Sequence, residues 1–159
     1  GGMVLAKNSS VELSLKKQFE ERKVVKKYIA LVHGEFTQDR GLITTPVQRY
    51  PKDKFRSAIT EWKVVQRLTY RVRPCTLLEV MPHTGRTHQI RKHLKSIGHP
   101  IVADPIYGYR KKLKTDLAWC PRLFLHAKYL EFSHPDTGQK IHFETEIPSE
   151  LATVLDARR

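Results

Sequence analysis

Apolar and polar positions along this 159-residue chain follow two periods, and the changes of period mark out its elements. Val11, Leu15 and Phe19 recur at i, i+4 and i+8, one face of a helix running to about Arg22. Ser9 followed by Glu12 is a capping-box pattern for its start. Met3–Lys7 ahead of it reads as a short strand, with 8–10 as a polar break. From Val24 to His33 the chain is crowded with β-branched and apolar residues and stops at Gly34, which predicts a strand. Another is predicted over Leu42–Thr45, before Pro46, and the basic stretch Gln48–Arg56, with Pro51, reads as a loop. Ala58–Leu68 and Cys75–Met81 read as strands around a turn region at Thr69–Pro74. Helical spacing returns over Thr87–Ile97, where Ile90, Leu94 and Ile97 make a stripe and Gly98 suits the position after the last turn. Leu123–Phe132 and Lys140–Ile147 are the last strands, joined through His134-Pro135-Asp136-Thr137-Gly138. Ser149 opens a final helix to about Ala157, with Leu151 and Leu155 on one face.

Strands outnumber helices and hairpin-like connections dominate. The expected class is therefore α+β, a mainly antiparallel mixed sheet flanked by helices. No repeat, low-complexity tract or linker interrupts it, so residues 1–159 read as one domain.

Composition narrows the function classes. Hydrophobic residues make up 40% and charged residues 28%, which excludes disorder as the main state. No apolar run approaches the roughly 18 residues of a membrane-spanning helix, and no membrane partner is expected. Residues 1–7 are too short and poorly patterned for a signal peptide. Cys75 and Cys120 form no CxxC pair, so neither a disulfide framework nor a cysteine zinc site is expected. Isolated cysteines suit a reducing compartment; the expectation is a cytoplasmic monomer, with an organelle as the alternative location. The charge is more telling: 29 Lys and Arg against 16 Asp and Glu leave a net +13. Such an excess strains a small domain through self-repulsion, and a polyanionic partner, nucleic acid first, accounts for it.

The densest polar constellation is His83-Thr84-Gly85-Arg86-Thr87-His88-Gln89-Ile90-Arg91-Lys92-His93, between a strand and a helix. A helix start offers unpaired N–H groups to a phosphate, and Gly85 allows close approach of a ligand. Arg91 lies at the edge of the Ile90–Leu94 stripe, where its guanidinium can reach a cleft floor. His83, His88 and His93 are five apart, a spacing that shares no helix face, and no carboxylate lies among them, so no metal is expected. There is no GxSxG elbow and no Gly-rich phosphate loop.

These residues carry a resemblance. Gly85–Leu94, Gly98–Gly108, Lys27–Gly34, Arg122–Ala127 and the turn His134–Gly138 resemble, in order and spacing, motifs of the RluA-type pseudouridine synthases. The match runs from Met3 to about Leu155. It implies the pseudouridine synthase catalytic fold and isomerisation of uridine in ribosomal or transfer RNA, with base flipping and no cofactor. It implies that Tyr28 is the active-site tyrosine and that Arg91 pairs with the catalytic aspartate. Leu123 and Leu125, two apart on a strand, share one face, and one of them is then the apolar floor under the base, with Arg86, His88 and Gln89 also expected to bind substrate. Arg49, Lys52, Lys54, Arg56, Lys92, Arg110, Lys111 and Lys112 are expected to form a basic rim for phosphates. The sequence departs from the family at its start. The aspartate belongs to a motif resembling Arg-Leu-Asp-x-x-Thr-Ser-Gly, of which residues 1–8 look like the tail. The catalytic aspartate is thus expected upstream of Gly1, and residues 1–159 alone are expected to be inactive. Asp104, the remaining motif carboxylate, reads as a turn residue. The alternative function is an inactive RNA-binding or ribosome-assembly factor of the same fold.

Overall fold

A computed structural model describes residues 1–156. Six strands form one sheet in the order β2-β3-β4-β1-β5-β6: β1 Val25–His33, β2 Arg40–Ile43, β3 Thr60–Tyr70, β4 Arg73–Pro82, β5 Leu125–Ser133 and β6 Lys140–Glu144. Every pairing is antiparallel, so the expected mixed character is absent among the described residues. Four helices accompany it: α1 Ser9–Glu20, α2 Gln89–Ser96, α3 Leu113–Leu117 and α4 Ser149–Asp156. The predicted end of the last helix at Ala157 lies outside the described residues.

β1 is central, and Ile29–His33 are buried on both faces. Alternation puts Tyr28, Ala30 and Val32 on one face and Ile29, Leu31 and His33 on the other. Across β4 and β3, Tyr28 lies level with Val80 and Trp62. α2 covers that face through Ile90 and Leu94, while Leu151 and Val154 of α4 complete the core. α1 packs apart, Leu15 against Val24 and Phe132.

Several expectations are corrected. Residues 3–7 form no strand. β5 is flanked by β1 and, from Tyr129 on, by β6, and the N-terminal segment reaches only one carbonyl, Gly2 N–H donating to Ala127 O at 2.9 Å. Asn8, not Ser9, caps α1, its side chain accepting from Val11 N–H at 2.9 Å. The strand containing Leu125 begins there, leaving Leu123 just before it. β3 and β4 run further than expected because only Arg71 and Val72 turn between them, both with left-handed φ (42° and 61°). Neither residue type announces such a turn.

Candidate active site

The end of β4, the start of α2 and the N-terminal half of β1 enclose an open cleft of about 510 Å³. Tyr28 and Arg91 both line it. So do Leu123 and Leu125, together with Arg86, His88 and Gln89. Tyr28 is half-buried on the α2 face, and burial raises its pKa, keeping the phenol protonated near neutrality. Leu125 shares that face, because it stands level with Ala30 across the β1–β5 pairing.

Arg91 does not point freely into the cleft. Its Nε donates to Asp104 Oδ2 at 2.8 Å and its Nη2 to Asp104 Oδ1 at 2.6 Å. Asp104 Oδ1 also accepts from the N–H groups of Ile106 and Tyr107, at 2.9 and 2.8 Å. Burial would raise the Asp104 pKa, but the guanidinium and the two N–H groups outweigh it and hold the carboxyl below the ordinary value. A bidentate pair with both partners largely buried fixes the guanidinium plane against the cleft wall.

Gln89 is buried, and its amide is spent inside the protein. Its Oε1 accepts from Thr84 Oγ1 and Arg86 N–H; its Nε2 donates to Ile59 O and Thr60 Oγ1. It therefore shapes the cleft wall as a positioning residue. The chain of bonds continues: Thr60 Oγ1 meets His93 Nδ1 and His93 Nε2 meets Thr45 O, each at 2.8 Å. His88 precedes α2 with φ 53°, bonded through Nδ1 to the Tyr107 hydroxyl at 3.2 Å. Burial, then Arg91 and Lys92, lower its pKa, so it is neutral near pH 7.

Sequence reasoning missed Lys26 and Phe19, which also line the cleft. Lys26 stands two residues before Tyr28 on β1, so the period of two already placed them on one face. Its Nζ lies 5.6 Å from the Phe19 ring centre, and burial lowers its pKa.

The basic residues divide. Arg49, Lys54 and Arg56 face Gly85, Arg86 and Thr87 across a polar trough of about 450 Å³ beside the cleft. Lys52 is exposed but lines neither cavity. Lys92 is committed elsewhere, its Nζ donating to Gln48 O. Arg110, Lys111 and Lys112 do not border the cleft. Lys112 Nζ sits 4.5 Å from the Tyr109 ring, which packs on His33 at the far end of β1 from Tyr28. The basic rim expected around the cleft is thus narrower than the sequence suggested.

Residues 1 and 2 approach β5 at Ala127, outside the cleft lining. Besides the Gly2 bond to Ala127, a Cβ on Gly1 would come within 2.7 Å of the Ala127 backbone. Only glycine permits that approach, and Ala127 stands opposite Tyr28 in the β1–β5 register. No carboxylate lines the cleft among the described residues. They hold no cluster of metal-ligating side chains and no helix long and apolar enough to cross a membrane.

Comparison with known proteins agrees with this layout. The family model described as RNA pseudouridylate synthase matches residues 1–96. An uncharacterized RNA pseudouridine synthase of Aquifex aeolicus is 41% identical over 97% of this chain and 52% of its own length. The ribosomal large subunit pseudouridine synthase D of Nitrosomonas europaea is 38% identical over 100% of this chain and 48% of its own. The dual-specificity RNA pseudouridine synthase RluA of Yersinia pestis is 38% identical over 92% of this chain and 72% of its own. The solved structure of human RNA pseudouridylate synthase domain containing 1 superposes with a TM-score of 0.77 at 28% identity, covering 90% of this chain and 62% of that one. The chain spans about half the length of the first two relatives. With a family model over more than half its residues and relatives matched nearly end to end, the chain belongs to the RluA-type RNA pseudouridylate synthase family.

Proposed function

We propose that this chain forms the uridine-binding part of an RNA pseudouridine synthase acting on ribosomal or transfer RNA. The observation that carries this is the convergence of Tyr28, Arg91, Leu123 and Leu125 on one cleft beside a basic trough. The target uridine leaves its stack at a cost of a few kcal/mol. It is held between the Tyr28 ring and the apolar floor of Leu123 and Leu125, while Arg86 receives a phosphate. The N1–C1′ bond breaks, the freed uracil turns, and a C5–C1′ bond forms. The C5 proton leaves and N1 regains one, so atoms and electrons balance without a cofactor. The protonated Tyr28 phenol is placed to donate the proton that N1 regains, and the phenolate this leaves takes the C5 proton, which restores the phenol.

The carboxylate that makes the glycosidic bond labile comes, in this reading, from a residue preceding Gly1. Asp104 has both oxygens occupied, and the glycine contact at Ala127 leads the chain in beside Tyr28. Arg91, with one guanidinium nitrogen left over from Asp104, orients that carboxylate. Two buried unpaired cysteines fit a protein working as a monomer in the reducing cytoplasm.

The test is tritium release from RNA labelled at uridine C5. Residues 1–159 alone should release none. The polypeptide extended through the aspartate motif should release it, and Arg91→Ala in that polypeptide should lose most of the rate. Turnover by residues 1–159 would overturn the assignment of the carboxylate. A fully active Arg91→Ala variant would remove Arg91 from the mechanism, and an inactive extended polypeptide would favour the assembly-factor alternative.

A further inference from the structure

A second cavity, of about 350 Å³, lies further along α2 than the cleft, between Lys92, His93 and Ser96 of the helix and the loop 45–55. Its outer wall is aromatic. Tyr50 and Phe55 stand 59% and 67% exposed, and Tyr107 completes the lining. Exposed rings in a basic loop need a reason, since each leaves apolar surface in water.

The loop that carries them is built. Val47 and Arg56 exchange backbone hydrogen bonds at 2.9 and 2.8 Å, closing it at the base. Asp53 accepts from Tyr50 N–H at 3.0 Å, turning the tip. The Lys92 ammonium ties it to α2 through Gln48 O. Polar groups behind the rings are spent, Lys92 on the loop and both His93 nitrogens on Thr60 and Thr45. What the cavity offers a ligand is therefore aromatic surface, with the Arg49 guanidinium 5.1 Å from the Tyr50 ring centre.

Its position relative to the charges identifies the ligand. The trough holding Arg49, Lys54, Arg56 and Arg86 shares Val47 and Arg49 with this cavity and Gly85 and Arg86 with the cleft. One path thus runs from the cleft, around the first turn of α2, to the aromatic cavity. Four cations line its middle, with Asp53 the lone carboxylate and already bonded to Tyr50. Apolar rings at one end, a polyanion's counter-charges along the way and a base pocket at the other end match the repeat of a single-stranded nucleic acid.

We propose that this cavity binds a second, unpaired nucleobase of the RNA whose uridine enters the cleft, stacked on Tyr50 and Phe55, with the intervening phosphates in the trough. This rests on the RNA reading above. Stacking uses a face that every base has, so the site tolerates any base and holds purines more firmly.

The test uses the protein with a short oligouridylate carrying 5-iodouridine, which photocrosslinks to stacked aromatic rings, and with an abasic strand of equal length. The crosslink should map to Tyr50 or Phe55. The variant Tyr50→Ala/Phe55→Ala should bind oligouridylate about tenfold more weakly, with an unchanged salt slope, and bind the abasic strand as the wild type does. Crosslinks confined to other residues, or an equal loss on the abasic strand, would overturn the second base site while leaving RNA binding intact. So would a variant with unchanged affinity. Absence of any RNA binding at low salt would sink the RNA reading and this proposal together. The wild-type crosslink decides the matter even if the variant folds poorly.

Discussion

The two sides of α2 are built on opposite principles. Toward the cleft, polar groups are paired inside the protein: Gln89 makes four hydrogen bonds and Arg91 is clamped by Asp104. Toward the loop 47–56, the backbone is closed and tethered, but Lys52, Lys54 and Arg56 make no ion pair among the described residues, and Tyr50 and Phe55 stand in water. The difference follows from the tasks. Orienting a reacting base demands groups held still before the substrate arrives. Holding a phosphate chain needs only hydrated cations that shed counterions on contact. One helix serves both because its first turn, with Gln89, Ile90 and Arg91, borders the cleft, while Lys92, His93 and Ser96 border the loop.

Removing the clamp should give the largest effect. Asp104→Asn leaves the largely buried Arg91 guanidinium without its counter-charge, and breaking such a pair costs about 3–5 kcal/mol. Urea unfolding should show a lowered midpoint with an unchanged slope. Lys54→Ala on the other side should stay within about 0.5 kcal/mol of wild type. Equal costs for the two would erase the distinction.

A smaller effect comes from acid. Burial lowers the His93 pKa, so the unfolded chain takes up a proton that the folded chain resists. The sign is fixed: stability is full above the unfolded value of about 6.5 and falls as pH drops from there toward the folded pKa. Unfolding midpoints between pH 7.5 and 5 should therefore decline, and His93→Gln should flatten the decline. A wild type equally stable across that range would show that the polar network does not depend on a neutral imidazole.

The legible parts of this protein were those written in short-range pattern. β1, α2 and the bodies of β3 and β4, though not the turn between them, follow from period, and the cleft residues from motifs lying in sequence order. The rest depended on distant partners. Nothing local says that Gln89 reaches Ile59 and Thr60, or that Arg91 meets Asp104 thirteen positions on. The five-residue helix α3 has no room for an apolar stripe. Residues 3–7 carry a short apolar run, but β5 gives one carbonyl to Gly2 and offers residues 3–7 no ladder. The basic residues were readable as an excess, while their division between trough, tether and far end of β1 required the fold.

That division yields the smallest and sharpest contrast. On single-stranded RNA each phosphate contact contributes about 0.7 to the slope of log affinity against log salt. If Lys54 and Arg56 both hold phosphate in the trough, Lys54→Ala/Arg56→Ala should flatten the slope by about 1.4 and weaken binding to all sequences alike. The triple change of Arg110, Lys111 and Lys112 to Ala removes more charge, yet these residues line neither cleft nor trough. Its slope should match wild type, with only a small loss from weakened long-range attraction. Salt titrations of the two variants side by side compare position against total charge. Should the triple variant flatten the slope more, the RNA path runs past Tyr109 and the trough is a solvated surface.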